Sequence, residues 1–546
     1  MKRNIFLAAA IILFVIINRP VYSQDIQRPK LVVGIVVDQM RFDYLYKYLP
    51  YYGKGGFRRL MNEGSNFTFA HYNYDATKTA PGHASIYTGT TPFFNGIIAN
   101  DWYDRVTGKN VNAVADPNYK SVGSLDDEGQ ASPNKLRSTT ITDQLKLATK
   151  KRSKVFSISL KNRAAVLPGG HMPDGVFWYN MNTGDFVTSS YYMKSLPKWV
   201  DEFNKKKLSD KYLAKGWKLF LPEDKYSISA PDESPSESDQ FNEGHTSFPH
   251  TFENVKFEDR YRVLPNTPFG DDLVAELSKA ALINENLGKG IWTDFLAISF
   301  SSPDFMGHDY GTESYEIQDA YLRLDASIAD LLSTLDKTIG KGNYLLFLTS
   351  DHAGLDTPLS LMENRLPTGG LDNKSFRDSI KSFAAKTFGN EKLVENISNK
   401  QIYFSRSEIK KSGLDIHTLE QKTADFIRDR YPVVSSIFTR DQLEGLLASR
   451  QPVNPVLNNF NPAISGDVFY TLQPGYMSSF QEIGTNHGTQ YSYDTHVPVI
   501  FYGWNIPAKT INTPVYIVDI AATIADLLKI TEPSASLGIP IITEKK

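Results

Sequence analysis

Apolar residues cluster in five short runs along the chain. Each run is rich in Val, Ile, Leu and Phe, and none alternates with polar residues as a half-exposed strand would. Strands of a parallel sheet that is covered on both faces have this continuous apolar pattern. The pattern predicts buried parallel strands at residues 31–38, 154–160, 294–300, 344–350 and 497–504.

Helical patterns lie between these runs, and the clearest one covers residues 315–339. Apolar residues recur there at the spacing of an amphipathic helix, and Gly340 follows as a stop signal. Alternating strands and helices indicate an α/β sandwich, in which a central, mostly parallel sheet carries helices on both faces.

Two polar stretches interrupt this alternation. Residues 168–266 are rich in polar, aromatic and proline residues, and residues 357–480 include an amphipathic helical pattern near residues 419–430. We expect one catalytic domain over residues 24–546, with both stretches inserted as lid or subdomain segments over one end of the sheet.

The N-terminus has the pattern of a secretory signal peptide at residues 1–23. Lys2 and Arg3 precede an apolar run at residues 5–17, and Ser23 offers a small residue for cleavage. An uncleaved anchor is the alternative. The chain has no cysteine, which excludes a lipoprotein and any disulfide. We expect a periplasmic protein without stable membrane insertion after cleavage.

The charge balance argues for a small substrate. The formal net charge is -2, from 59 basic and 61 acidic side chains, so no electrostatic reason exists to expect a specific nucleic-acid partner.

Acidic and imidazole residues follow three of the predicted strands, and one more histidine precedes the last apolar run. In open α/β sheets, functional groups gather beyond the carboxyl ends of the strands. A single aspartate at such a place is often only a cap or turn residue. The whole set comprises Asp38, Asp304, His308, Asp351, His352 and His487.

Six such groups need a reason to lie together, because uncompensated carboxylates repel one another and lose solvation. Divalent cations remove both penalties, and imidazole nitrogen and carboxylate oxygen are zinc ligands. Six ligands exceed one tetrahedral ion and suit two, although other divalent ions also accept these ligands.

Thr79 is the candidate nucleophile. It precedes Pro81 and a helical pattern, which predicts an N-cap position facing free backbone amides. A cation beside it would lower the pKa of its hydroxyl. An N-cap without chemistry is the alternative. The other histidines are interpreted as surface, packing or supporting residues: His71, His83, His171 and His496.

The ordered motifs resemble the alkaline phosphatase superfamily, in particular its phosphodiesterase/nucleotide pyrophosphatase-like branch and the PafA-type group of periplasmic alkaline phosphatases. The resemblance covers nearly the whole mature chain. The motifs are VVDQMR, TKTAPGHAS, GIIANDWYD, SLKNRAAVLPGGH, SSPDFMGHDYG, TSDHAG and GTNHGT.

The resemblance implies one zinc ion held by Asp304, His308 and His487. It implies a second held by Asp38, Asp351 and His352, with Thr79 beside the second ion. Thr79 would become phosphorylated, and the resulting phosphothreonine would then be hydrolysed.

The resemblance also implies three substrate-binding residues. Asn100 would bind a phosphoryl oxygen, and Lys161 and Arg163 would bind the additional charge of a monoester. Because Lys161 and Arg163 alternate with Asn162 at a predicted strand end, we expect both to point the same way. The resemblance implies that Lys161 fills the space of a magnesium site, leaving two Zn²⁺ and no structural magnesium.

These expectations combine into a monomeric, phosphate-scavenging alkaline phosphatase that acts on small phosphate monoesters. One alternative is a phosphodiesterase or nucleotide pyrophosphatase on the same scaffold. Another, from a different class, is a non-catalytic secreted protein that binds metal.

Overall fold

A computed structural model describes residues 27–446, 450, 454–478 and 482–542. The predicted signal peptide lies outside these residues. Short three-ten helices occur at Glu223–Tyr226, Leu264–Asn266 and Glu391–Leu393. The strands are β1 (Leu31–Val37), β2 (Ser65–His71), β3 (Asp101–Asp104), β4 (Lys109–Asn112), β5 (Ser121–Val122), β6 (Val155–Ser159), β7 (Gly175–Tyr179), β8 (Phe186–Ser189), β9 (Asp294–Phe300), β10 (Tyr344–Thr349), β11 (Gly369–Gly370), β12 (Val394–Ser398), β13 (Gln401–Phe404), β14 (Val434–Thr439), β15 (Val468–Leu472), β16 (Tyr476–Met477), β17 (His496–Gly503), β18 (Lys509–Ile511) and β19 (Val515–Tyr516).

Helices connect these strands along the whole described chain. They are α1 (Tyr44–Lys47), α2 (Phe57–Glu63), α3 (Thr79–Thr88), α4 (Pro92–Asn95), α5 (Ile141–Ala148), α6 (Asn162–Gly169), α7 (Lys198–Asn204), α8 (Leu208–Leu213), α9 (Phe269–Asn284), α10 (Ser302–Tyr310), α11 (Tyr315–Thr338), α12 (Pro358–Glu363), α13 (Asn373–Phe388), α14 (Arg406–Ser412), α15 (Ile416–Arg430), α16 (Arg440–Glu444), α17 (Pro455–Asn459), α18 (Ser492–Thr495) and α19 (Asp519–Leu528).

The central sheet has a parallel middle and antiparallel flanks. Its order is β18-β2-β17-β10-β1-β9-β6-β7-β8-β5, with β19 also paired to β2. The strands β10, β1, β9, β6 and β7 are mutually parallel. The described fold is therefore a mixed α/β sandwich around a large sheet, as the sequence predicts.

One predicted strand runs in the opposite direction to the prediction. The run at residues 497–504 forms β17, which pairs antiparallel with β10 and with β2. The prediction of a parallel strand was wrong because a strand buried on both faces has the same apolar pattern in either direction. The start of β17 consequently lies at the edge where β10 ends.

Two hydrophobic cores cover the two faces of the sheet. Alternate residues of β1 face opposite sides, so Val33 and Ile35 enter one core while Val32 and Val36 enter the other. Helices α9 and α11 pack in the first core, and α3, α5 and α19 pack in the second. Helix α11 begins and ends within one residue of the helix predicted at residues 315–339.

The two polar stretches build different structures. The first contributes β7 and β8 to the central sheet. The second builds a separate four-stranded sheet, in the order β12-β13-β15-β14, and we call residues 373–472 around it the accessory subdomain. The predicted bounds of the domain and its insertions remain a prediction. In the part of the chain described here, no helix has the length and apolarity needed to cross a membrane.

Candidate active site

The parallel strands deliver the predicted carboxylates and imidazoles to one edge of the sheet. Asp38 follows β1 directly, Asp351 and His352 follow β10, and α10 begins two residues after β9. His487 precedes β17, whose antiparallel direction brings its start to the same edge. The structure brings all six predicted ligands together in two sets.

The first set, which we call the open set, contains Asp304, His308 and His487. Asp304 and His308 lie one turn apart on α10, with His308 Nε2 3.3 Å from Asp304 Oδ1. His487 Nε2 lies 3.4 Å from the same oxygen. One ligand atom from each residue lies within 4.8 Å of the others. The His308 side chain is 35% exposed, so solvent reaches this set.

The second set, which we call the closed set, contains Asp38, Asp351 and His352. His352 Nε2 lies 3.4 Å from Asp38 Oδ1 and 3.8 Å from Asp351 Oδ2. All three side chains are fully buried. The ligand atoms of this set also lie within 4.8 Å of one another.

Backbone carbonyls fix the orientation of all three imidazoles. The Nδ1 atoms of His308, His352 and His487 lie 2.8, 3.0 and 2.7 Å from the carbonyl oxygens of Thr485, Ala353 and Thr77. A carbonyl oxygen only accepts hydrogen bonds, so Nδ1 must carry the proton of each neutral ring. Each Nε2 lone pair is then directed at the carboxylates, as metal ligation requires.

The two sets adjoin each other. The rings of His352 and His487 stack with their centroids 3.6 Å apart. Lys161 joins the sets from the other side: its ammonium lies 2.7 Å from Asp38 Oδ2 and also donates to Asp304 Oδ2. Cations bound by the two sets would therefore be neighbours in one continuous site.

Buried polar atoms in the closed set lack partners. Among the described residues, Asp38 Oδ1, Asp351 Oδ2 and His352 Nε2 have no hydrogen-bond partner. Such atoms cost free energy unless a ligand satisfies them, and each residue of the set contributes one. Together with the donor chemistry of both sets, this fits a divalent cation in each set.

Burial and the close approach of several charged side chains shift the pKa values of the carboxylates in the site. Burial, then repulsion from Asp304 and Asp351, raises the pKa of Asp38 well above its ordinary value. Burial acts in the same direction on Asp304, but Lys161 and His308 outweigh it and hold the pKa of Asp304 well below its ordinary value. The raised pKa favours a proton on Asp38, and a bound cation would displace that proton.

The pKa of His308 is shifted in the opposite direction to those of His352 and His487, and burial lowers the pKa of His487. Burial lowers the pKa of His352 to about 3. Burial also acts to lower the pKa of His308, but the carboxylate of Asp304 outweighs it and raises that pKa above its ordinary value.

Thr79 is the first residue of α3, and its segment runs between the two sets. The Thr77 carbonyl accepts from His487, and the His83 ring lies 2.9 Å from the Thr79 carbonyl and 3.4 Å from Asp351. The predicted N-cap position was wrong by one residue, since Lys78 is the N-cap and its extended backbone precedes the helix. A helix terminus cannot be located more closely from a pattern.

Gly82 allows this helix to approach the closed set. A Cβ atom added at Gly82 would lie 2.3 Å from the Asp351 carbonyl oxygen. Only glycine permits this packing of α3 against the strand end that carries Asp351.

The predicted substrate-binding residues surround the start of α3. Asn100 Oδ1 accepts a hydrogen bond from the Ala80 amide at 2.8 Å. Arg163 lies near enough to act on the pKa of both Lys161 and Lys78, and its buried Nε has no hydrogen-bond partner among the residues that the structure describes. The β6 strand ends at Ser159, so the strand alternation expected for Lys161 and Arg163 was wrong; Arg163 belongs to α6.

One supporting residue, Gln39, escaped the sequence reasoning, and a second, His83, was anticipated. Gln39 donates from its side chain to Asp304 Oδ1 at 2.9 Å and from its amide to Asp351 Oδ1 at 3.2 Å, so it touches both sets. Its positive φ of 59° is visible only in the folded backbone. His83 had been interpreted as a supporting residue at most, and its contact with Asp351 gives it that role.

The accessory subdomain reaches the site through the tip of its β12–β13 hairpin. Asn399 and Lys400 form the two-residue turn, both with positive φ. Asn399 accepts from the Lys78 ammonium at 2.9 Å, and Lys400 donates to the Gly488 carbonyl at 2.8 Å. Asn399 and Lys400 line a common cleft with Lys78 and His487.

Comparison with known proteins places these features in a family. The family model for type I phosphodiesterase / nucleotide pyrophosphatase matches residues 32–488. The chain is 42% identical over 528 residues to alkaline phosphatase PhoV of Synechococcus elongatus, covering 96% of this chain and 94% of that protein.

A solved structure extends the similarity to three dimensions. The chain is 39% identical over 520 residues to alkaline phosphatase PafA of Elizabethkingia meningoseptica, covering 95% of each. A crystal structure of wild-type alkaline phosphatase PafA matches with a TM-score of 0.91 at 39% identity, covering 95% of this chain and 99% of that one. Both relatives match nearly the whole chain in sequence and support a phosphatase.

Proposed function

The chain belongs to the type I phosphodiesterase/nucleotide pyrophosphatase family of the alkaline phosphatase superfamily, and we propose that it is an alkaline phosphatase that hydrolyses phosphate monoesters. The observation that carries this proposal is the convergence of two carboxylate–imidazole sets on the segment of Thr79. The naming of two relatives as alkaline phosphatases supports it.

We assign the open set, Asp304, His308 and His487, to one Zn²⁺ and the closed set, Asp38, Asp351 and His352, to another. Bound divalent cations would lower the pKa of the Thr79 hydroxyl and neutralise charge on the phosphoryl and leaving oxygens.

Thr79 Oγ1 is the proposed nucleophile. It would form a bond to phosphorus as the ester oxygen departs and takes up a proton, and water would then hydrolyse the phosphothreonine to release inorganic phosphate. The start of α3 favours this position because the free amides and the helix dipole attract phosphoryl oxygens.

Asn100, Lys161 and Arg163 are the proposed phosphate ligands. The Asn100 amide group, held at the start of α3 by the Ala80 contact, would donate to a phosphoryl oxygen. A monoester carries one more anionic oxygen than a diester, and the cations of Lys161 and Arg163 would neutralise it. The Lys161 ammonium already lies between two carboxylates, so it also holds those carboxylates together in the absence of substrate.

A phosphodiesterase is the second candidate, because the matching family model carries that description. Measuring kcat/KM of the purified protein for an aryl phosphate and for its methyl diester separates the two. We expect a preference for the monoester, and a preference for the diester would replace the first proposal with the second.

We further propose secretion to the periplasm through residues 1–23 and action as a monomer on small phosphate esters. The absence of cysteine suits an oxidising compartment, since no thiol can be oxidised there. Fractionation of cells, with mass determination of the mature protein in solution, tests both statements.

A further inference from the structure

The accessory subdomain contains a third group of metal-type ligands, formed by His417, Glu420 and Asp441. One ligand atom from each residue lies within 4.8 Å of the others. We propose that this group binds a divalent transition-metal cation such as Zn²⁺, separately from the two sets at the sheet edge. The inference does not depend on the proposed function.

The three residues come from two helices that flank one strand. His417 and Glu420 lie three residues apart on α15, so they share one face of that helix. Asp441 lies in the first turn of α16, immediately after β14. A shared ligand would therefore connect the two ends of a continuous helix–strand–helix segment.

Glu420 is the observation that points to a cation. Its side chain is only 2% exposed, and its Oε2 has no hydrogen-bond partner in the described part of the chain. An ionised carboxylate in such a place is costly unless it is paired. The neighbouring carboxylates of Asp467 and Asp441 add further negative charge around it.

The other two residues would be explained without a cation, but Glu420 would not. His417 Nδ1 contacts Asp441 Oδ2, and both side chains are more than half exposed, as in an ordinary surface ion pair. The helix dipole also favours Asp441 in the first turn of α16. Nearby Arg406 and Arg440 are both occupied, Arg406 by Asp467 and Arg440 by Glu444.

The chemistry of the group selects the class of ion. One imidazole and two carboxylates are typical zinc ligands, and the exposure of His417 and Asp441 leaves room for water at the remaining positions. Calcium and magnesium prefer sites made only of oxygen. The bound ion would stabilise the accessory subdomain rather than take part in hydrolysis.

Zinc content of the full-length protein tests the inference. Wild type, His417→Ala and Glu420→Gln would be equilibrated at micromolar free zinc and analysed for bound metal by mass spectrometry. We expect one equivalent fewer per chain in both variants than in wild type, with kcat/KM for a phosphate monoester unchanged within about twofold.

Asp425→Asn is the matched control, because Asp425 forms an exposed ion pair with Arg428 on the same helix. It should keep the wild-type zinc content. Equal zinc content in wild type and both ligand variants would overturn the inference, as would a third equivalent that binds only at millimolar zinc. Neither outcome touches the sheet-edge sites, whose failure would appear as wild-type protein with at most one equivalent of zinc and no activity.

Discussion

The open and closed sets use the same kinds of ligand in contrasting surroundings. Each combines histidine with aspartate, and each imidazole is oriented by a backbone carbonyl. The closed set has no exposed side chain and three unpartnered atoms, whereas His308 of the open set is 35% exposed. If each set binds a cation as proposed, the comparison predicts that the closed set depends on its cation for stability, while the open set exchanges its cation with solvent.

The proposed nucleophile, Thr79, lies on a segment that contacts both sets, and its removal should have the largest effect. In Thr79→Ala we expect kcat to fall by at least about 10³-fold, since no other hydroxyl replaces it in the first step. Thr79→Ser should retain a measurable part of the activity. Steady-state kinetics with metal analysis of the same sample checks this, and metal content should equal that of wild type. Full activity in Thr79→Ala would remove Thr79 from the mechanism.

Removing one histidine from each set should separate their roles. In His352→Ala we expect loss of the closed-set metal, together with about 2 kcal/mol of unfolding free energy from the buried cavity. In His308→Ala we expect weaker metal binding with little change in stability, and recovery of activity when metal is added. Urea unfolding and activity against added zinc provide the measurements. Identical behaviour of the two variants would contradict the contrast between the sets.

Removing the positive charge of Lys161, which joins the two sets, or of Arg163 should slow hydrolysis of monoesters selectively. For Lys161→Ala and Arg163→Ala we expect kcat/KM to fall by about 10²-fold with a monoester and less with its diester, because only the monoester carries the extra charge. The ratio of the two rate constants is the readout. Equal losses on both substrates would contradict the assigned role.

The smallest effect concerns pH, and it should have opposite signs for His352 and His308. The pKa of His352 is lowered to about 3, so its contribution to stability is present above pH 6.5 and is lost as pH falls, by about 2 kcal/mol at pH 5. The pKa of His308 is raised, so its contribution is present below pH 6.5 and is lost as pH rises through the raised value.

Urea unfolding of metal-free protein between about pH 5 and pH 8 checks these signs. In His352→Gln the destabilisation at low pH should shrink, and in His308→Gln the decline at higher pH should shrink. A change of the same sign in both variants would show that the site does not titrate as the structure indicates.

Much of the sheet and of its functional edge could be predicted from the sequence, because buried strands leave continuous apolar runs. The strands β1, β9 and β10 agree with the predicted runs to within a residue, and the polar residues after them lie together. The direction of β17 could not be predicted, since a strand covered on both faces has no directional signal. Its reversal explains how His487, which precedes its strand, joins residues that follow theirs.

The sequence reasoning failed where a contact depends on the local conformation of the backbone. Gln39 joins the two sets through a side-chain amide and a main-chain amide in a left-handed conformation, and no residue pattern reveals such a contact. The strand alternation proposed for Lys161 and Arg163 failed because β6 ends at Ser159 and α6 begins at Asn162. In both cases local geometry at the end of a strand decides what a side chain touches.

Anomalous scattering at the zinc edge, from crystals of active protein, tests the central claim most directly. The account predicts two strong peaks at the sheet edge, one among Asp304, His308 and His487 and one among Asp38, Asp351 and His352, with Thr79 adjacent to the second. Active crystals with no peak in either set, or with a peak remote from Thr79, would contradict it.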